Sequence, residues 1–568
     1  MKKQLTFFIL LVINLFVVIN VNATGKTTTE DLQSFTNPNE FITYFESDEI
    51  VKIPVDAANN KTMFKAAYVS TYNNKDISLL DINNKETFKS EYQQILNTFK
   101  ENYLNVIIFE VRPLLDAFYT SKINPTSKFL VGNEGLELDW DPLQWMIEEA
   151  KNHNIEFHAW VNPYLVSNLE VSEDTTVNDI IDTLGESNFA RYNPKMVVVG
   201  EDRRLYLNPA YSEVKEHLVD TVSEIINNYD VNGIHFNSTF YPMTGLDSQY
   251  DEELFKKSNY SYLNDFRKGQ VIEVIRKIDN AINQYNLNHN RSIQLGLTFD
   301  MKNGMYIDLN NLTKGKIIDY IIPKLDYNFE EDEKGFADYV REWSSYLDSS
   351  TSNLYVGLDL SLESYDFEKE LSSQILYTQN YSRIKGVVLD QLITIKKSQP
   401  STYNSIQNIS NQFFKSSVLL PYTENVHAPQ VSYSVSIDEK ISDNGIELIW
   451  SAREHAKYYI IYKFVNVENF HITELNNPDN ILAIVKHNPG EIQLSLLDRD
   501  VTNENVYKYL ISVVDHANYE VDIPTVQDID LTFEHNLSTI LIMFTVISVV
   551  TIIVISVTSY KVLKKEIG

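Results

Sequence analysis

Apolar and polar positions along the chain follow four different patterns, and each predicts a different kind of element. Lys2 and Lys3 precede a mostly apolar run, Leu5 to Val21, which Asn22-Ala23 closes. A short charged start, an apolar stretch too short to span a bilayer comfortably and a small-residue site predict a secretory leader over 1–23. Leu537 to Val557 carries no charge and is long enough to cross a membrane. Asp528, Asp530 and Glu534 precede it and Lys561, Lys564 and Lys565 follow, which places the 558–568 tail in the cytoplasm. The expectation is a single-pass type I protein of the cell membrane, with the bulk of the chain extracytoplasmic.

Between these ends, eight short β-branched runs recur: Ala66 to Asn74, Asn105 to Pro113, Glu156 to Tyr164, Gly233 to Pro242, Ile293 to Asp300, Ile318 to Tyr327, Asn353 to Ser361 and Lys385 to Leu392. Most of the intervals show helical period, as in Glu86 to Tyr103 with its Phe88, Tyr92, Ile95, Leu96 and Phe99 stripe. Eight strand-helix alternations with strands apolar on both faces predict a closed (β/α)8 TIM-type barrel over 63–420. Residues 24–62 read as a polar, weakly structured lead-in. From 429 to 525 the period shortens to two, in Ile446 to Trp450, Lys457 to Tyr462 and Tyr507 to Val513, predicting a small all-β sandwich that resembles a fibronectin type III module.

Strand period also sorts the polar residues. In such barrels chemistry sits at the C-terminal ends of the strands. Glu110 and Arg112 end the second strand, His158, Trp160 and Asn162 lie on the third, His235 and Asn237 on the fourth, Asp300 ends the fifth, and Lys324 and Asp326 lie on the sixth. Asp359 and Asp390 occupy matching places on the seventh and eighth. Each same-strand group falls on one face.

Composition narrows the partners. The formal net charge of −30 argues against nucleic acid, which needs clustered Lys and Arg. The chain has no cysteine, so neither disulfides nor thiolate metal sites are available. It carries no convincing phosphate loop, zinc pattern or catalytic triad; no cofactor and no metal are expected.

The runs Asn105 to Pro113 followed by Asp116 to Tyr119, Phe157 to Tyr164, Leu205 to Pro209 and Tyr229 to Phe236 make this chain similar to the glycosyl hydrolase-like 10 family over most of 63–395. The resemblance implies a TIM barrel, a glycan partner and hydrolysis of O-glycosyl bonds. Arg112, Asp116, Tyr119, His158, Trp160, Asn162, Asn208, His235, Asn237 and Lys324 are the candidate substrate contacts, Asn237 and Lys324 at positions where this chain departs from the family pattern. Where the family has two aspartates after the fourth strand, this chain has Asn237 and Ser238. Asn237 cannot act as nucleophile or acid. The carboxyl pair that hydrolysis needs is then sought among Glu110, Asp300 and Asp326, and the alternative is a catalytically inactive barrel serving in surface adhesion or as a scaffold. For Glu110 beside Arg112 and for Asp326 beside Lys324, an ion pair is the competing reading.

Overall fold

The computed structural model describes residues 34–521, apart from 38–39, 59, 82–83, 238–239, 242–249, 301–305, 416–417, 433–434, 436, 443, 468–469, 489 and 503, together with 535–536. The expected leader, membrane span and tail lie outside the described residues, as does Ser238. Among the described residues no helix is long and apolar enough to cross a membrane. The chain divides into two compact units. One runs through Ala58 and includes 64–282 and 293–415; the other holds 59–63, 283–292 and the chain from 416 on.

The first unit is a closed barrel of eight parallel strands: β1 (Phe64–Val69), β2 (Val106–Arg112), β3 (Glu156–Val161), β4 (Gly233–Phe236), β5 (Gln294–Phe299), β6 (Tyr320–Leu325), β7 (Asn353–Asp359) and β8 (Ile384–Asp390). Each pairs with its sequence neighbours, and β1 closes on β8 with Ala67 opposite Leu389. The strands are buried along nearly their whole length because helices cover the outside while side chains fill the inside. Flanking helices include α1 (Lys85–Glu101), α2 (Pro142–Asn152), α3 (Ser212–Asn228), α4 (Leu263–His289), α5 (Phe336–Tyr346), α6 (Phe367–Gln379) and α7 (Pro400–Phe413). The entry to α2 is fixed locally: Asp141 Oδ1 accepts from the Leu143 and Gln144 backbone N–H groups, and Pro142 supplies a preset φ where no donor is needed.

All eight expected strands are present, yet each stops short of its predicted C-terminal end. Backbone pairing lapses where side chains take over the hydrogen bonding. After β1 the chain turns through Asn73 and Asn74, both at positive φ, and after β3 Asn162 donates to Pro113 O at 2.8 Å. A small antiparallel sheet of Leu165–Glu170, Val197–Val199 and Arg204–Leu207, inserted between β3 and β4, was not expected as strands.

The lead-in is also corrected in part. Phe35, Ile42, Tyr44, Val51 and Ile53 are buried. Phe35 stacks on Phe329, and the Tyr44 and Tyr377 hydroxyls are 2.7 Å apart. Widely spaced apolar residues with no regular period still find a surface when the neighbouring fold supplies one.

The second unit contains two antiparallel sheets. One is β9 (Ile437–Ser442), β10 (Gly445–Ser451) and β13 (Gln493–Asp498); the other is β12 (Ile481–Lys486), β11 (Tyr458–Val465) and β14 (Val506–Val514), with His535–Asn536 alongside β14. Trp450, Leu494, Tyr459, Ile461, Tyr507 and Ile511 from both sheets share one core.

Candidate active site

The C-terminal mouth of the barrel holds two separate polar groups. At the end of β2, Glu110 is 1% exposed and accepts five hydrogen bonds. Its Oε2 receives Ser70 Oγ at 2.9 Å, Thr71 N at 2.7 Å, Thr71 Oγ1 at 3.3 Å and Tyr72 N at 2.8 Å. Asn162 Nδ2 reaches Oε1 at 2.7 Å. Burial pushes the carboxyl pKa up while these donors pull against it. Buried at 1% exposure, with four of these contacts on Oε2, the carboxylate is held away from a sugar at the mouth.

Asn162 ties the group together, because its Oδ1 accepts from Trp160 Nε1 at 3.0 Å and from Asn237 Nδ2. Asn237 thus occupies, with an amide, the place where a carboxylate was expected from the family pattern. The Trp160 ring is half-buried and meets the Tyr68 ring edge to face at 5.7 Å.

Arg112 does not pair with Glu110, contrary to one of the expected readings. The β2–β3 register shifts between Glu110 and Arg112, so the two side chains do not follow simple alternation. Arg112 is fully buried and Nη1 donates to Asn162 O at 2.6 Å and Pro163 O at 3.2 Å. It therefore positions the loop that carries Asn162. Burial lowers its pKa to about 10. Asp116 and Tyr119 are also fully buried: Asp116 Oδ1 accepts from Leu114 N at 3.0 Å, and Tyr119 packs edge-on against Tyr229. Burial, with Glu134 adding, raises Asp116 to about 7. Asn208 is 1% exposed and serves its own loop, donating to Tyr250 O and accepting from Ala210 N, both at 3.0 Å. None of these four presents a free surface to a sugar.

On the opposite side, Lys324 of β6 stands between two carboxylates. Its Nζ is 3.3 Å from Asp326 Oδ2 and 3.2 Å from Asp390 Oδ2, and the three side chains are 30%, 34% and 22% exposed. The sum of those distances, about 6.5 Å, is the upper limit on the separation of the two oxygens. Burial pushes Asp326 above the ordinary carboxylate range; Lys324 opposes this, and Asp359 and Asp390 add to it. Burial alone would lower Lys324, yet Asp390, Asp326 and Asp359 hold it above its ordinary value. Asp326 Oδ1 has no hydrogen-bond partner. Neighbouring Asp359 is held by Ser361 N at 2.9 Å and Gln391 Nε2 at 2.9 Å. Asp300 is half-buried at the end of β5, and residues 301–305 after it lie outside the described residues.

Below the mouth the barrel interior is polar and aromatic. His158 Nδ1 and His235 Nδ1 lie 2.8 and 3.1 Å from the same Tyr320 hydroxyl, and His235 Nε2 is 2.8 Å from Thr298 Oγ1. Thr298 in turn bonds the Tyr68 hydroxyl. His158 and His235 are 0% and 1% exposed, so neither reaches the mouth as a substrate contact. Two glycines make room for these rings: a Cβ on Gly233 would lie 2.6 Å from His158 Nδ1, and one on Gly296 1.9 Å from Tyr320 Cζ. Tyr68, Thr298 and Tyr320 were missed from sequence, although each follows the alternation of a mouth residue on its own or a neighbouring strand. Among the described residues no three His, Asp or Glu side chains converge as a metal site.

A family model described as glycosyl hydrolase-like 10 matches residues 39–369. The chain is similar to a glycosyl hydrolase of Bacillus subtilis (strain 168), YngK, at 22% identity over 472 residues, spanning 76% of this chain and 86% of the relative. It is also similar to the Escherichia coli (strain K12) glycosyl hydrolase DigH, at 24% identity over 343 residues, 54% of this chain and 75% of the relative. Among solved structures, the PgaB (BpsB) glycoside hydrolase domain of Bordetella bronchiseptica aligns at 9% identity with a TM-score of 0.40, over 62% of this chain and all of that domain.

Proposed function

The chain belongs to the glycosyl hydrolase-like 10 family, and from that premise we propose that its barrel binds a glycan across the mouth and hydrolyses a glycosidic bond with Asp326 and Asp390. The observation that carries this reading is the single Lys324 ammonium shared by two partly exposed carboxylates no more than about 6.5 Å apart. Retaining enzymes place their carboxyl groups about 5–5.5 Å apart. Asp326, raised by burial, suits the acid. It gives its proton to the glycosidic oxygen as Asp390 attacks the anomeric carbon and the bond to the leaving sugar breaks. Water then attacks that carbon, returns a proton to Asp326 and releases Asp390. Trp160, flanked by Tyr68, offers an aromatic face for a pyranose.

The leader and span patterns of the sequence support an extracytoplasmic, membrane-held protein, with the β-sandwich as a fibronectin type III-like spacer. A second reading, a sugar-binding surface protein without turnover, is favoured by Asn237, whose amide bonds Asn162 at the family's carboxylate position.

The test is incubation of the purified full-length protein with defined oligosaccharides, scoring reducing ends and binding on the same samples. Cleavage lost in both Asp326→Asn and Asp390→Asn supports the enzyme. Cleavage that survives in both variants removes this pair, and binding without cleavage supports the second reading.

A further inference from the structure

The interior of a TIM barrel is usually filled by layers of branched aliphatic side chains, because buried polar groups cost free energy unless each finds a partner. Here a polar column, hydrogen-bonded from His158 to Tyr68, replaces part of that filling. It runs from Glu156 at the start of β3, through His158, Tyr320, His235 and Thr298, to Tyr68 near the mouth. His158 Nε2 is 3.6 Å from Glu156 Oε2, within ion-pair reach but beyond a hydrogen bond, and the ring of His235 stacks on Tyr320 with an interplanar angle of 12°.

The donor inventory gives the column a direction. Tyr320 has one hydroxyl proton and two imidazole Nδ1 neighbours, so it donates to one and accepts from the other. Burial and nearby His158 hold His235 well below the ordinary imidazole range, so its ring is neutral and carries one N–H. Two arrangements follow. In the first, His158 points Nε2–H at ionised Glu156, Tyr320 donates to His158, His235 donates from Nδ1 to Tyr320, Thr298 donates to His235, and the Tyr68 proton faces inward. In the second, one more proton sits on the Glu156–His158 pair, His158 donates from Nδ1, every bond above it reverses, and Tyr68 donates outward.

We propose that this column is a proton relay, passing one proton between the Glu156–His158 pair at the barrel base and the Asp326–Asp390 carboxylates at the mouth, with Tyr68 as the positioning residue at its upper end. Delivery shifts each proton by one bond: His158 Nδ1 to Tyr320, Tyr320 to His235 Nδ1, His235 Nε2 to Thr298, Thr298 to Tyr68, and Tyr68 through a water at the mouth to Asp390 or Asp326, whose charges it feels. The second arrangement becomes the first, and the proton count balances. The other ionisable groups felt along the column are Tyr355 of β7 and Asp319 just before β6, while Tyr68 feels Asp390 and Asp326. The relay's link to catalysis rests on the reading above; its proton coupling does not.

Imidazole 15N NMR of the histidine-labelled full-length protein, without sugar, tests it. As pH falls, His158 is expected to gain Nδ1–H and His235 to change from the Nδ1–H to the Nε2–H tautomer, with one shared midpoint. Glu156→Gln removes the carboxylate beside His158, and both histidines are expected to move together to a lower midpoint. Tyr320→Phe is expected to uncouple them. Separate midpoints in the unaltered protein, a His235 that ignores Glu156→Gln, or coupling that survives Tyr320→Phe each overturns the relay. Should Tyr320→Phe fail to fold, the first two measurements decide. Failure to cleave any sugar would instead strike the hydrolase reading and leave these spectra unaffected.

Discussion

The two sides of the barrel mouth are both rich in polar side chains, but they use them differently. On the β2–β3–β4 side, Glu110, Asn162, Trp160 and Asn237 bond one another, and Arg112 is spent on backbone carbonyls. On the β6–β8 side, Asp326 and Asp390 divide one lysine and stay partly open to solvent. A carboxylate at a strand end is thus no evidence of chemistry by itself; what counts is how many of its lone pairs the fold has already filled.

The comparison is broken most directly through turnover. Asp326→Asn is expected to reduce hydrolysis by about 10²–10⁴-fold, the usual range for removing a general acid, with Asp390→Asn at least as severe. Glu110→Gln, assayed at equal folded protein, is expected to retain most of its rate. The reverse ranking in a reducing-end assay would move the chemistry to the other side.

Stability should invert that order. Glu110→Gln gives the Asn162 amide a donor to face instead of an acceptor, at an expected cost of about 1–3 kcal/mol. Both aspartate variants are expected to stay within about 1 kcal/mol of the parent. Thermal unfolding followed by circular dichroism separates the two.

A separate effect is on pH dependence and comes from carboxyls away from both groups. Burial pushes Asp116, Asp319 and Glu370 each up to about 7. Their folded pKa lies above the unfolded value near 4, so the native state binds more protons. Their contribution is full below about pH 4 and is lost as pH rises through 7. The unfolding midpoint is therefore expected to fall between pH 5 and 8, and Asp319→Asn should flatten the slope; an unchanged slope would show that Asp319 does not carry it.

The barrel was legible in the sequence because burial on both faces leaves the strands as apolar runs, and Gly233 to Phe236 or Tyr320 to Leu325 could hardly be anything else. The site was legible only as a set of residue types. Alternation placed Lys324 with Asp326, and the two do pair. It also placed Glu110 with Arg112, which a one-residue register shift undoes. No local pattern announces that shift, and none shows that Thr71 and Tyr72, some forty residues earlier, supply backbone donors to Glu110. Asp390 was visible as a candidate, but its closeness to Lys324 is a tertiary fact.

Gly233 and Gly296 leave room for His158 and Tyr320, which constrains how the barrel can change by mutation. Each glycine and its ring fill one space, so the order of substitution matters. A larger residue at 296 is blocked while Tyr320 keeps its ring, and shrinking Tyr320 first leaves a void that nothing yet fills. Either single step loses stability, and only the pair restores packing. Such a valley between two acceptable states holds the interior in its present form in any lineage that substitutes one residue at a time, whether or not the mouth above it still cuts a sugar.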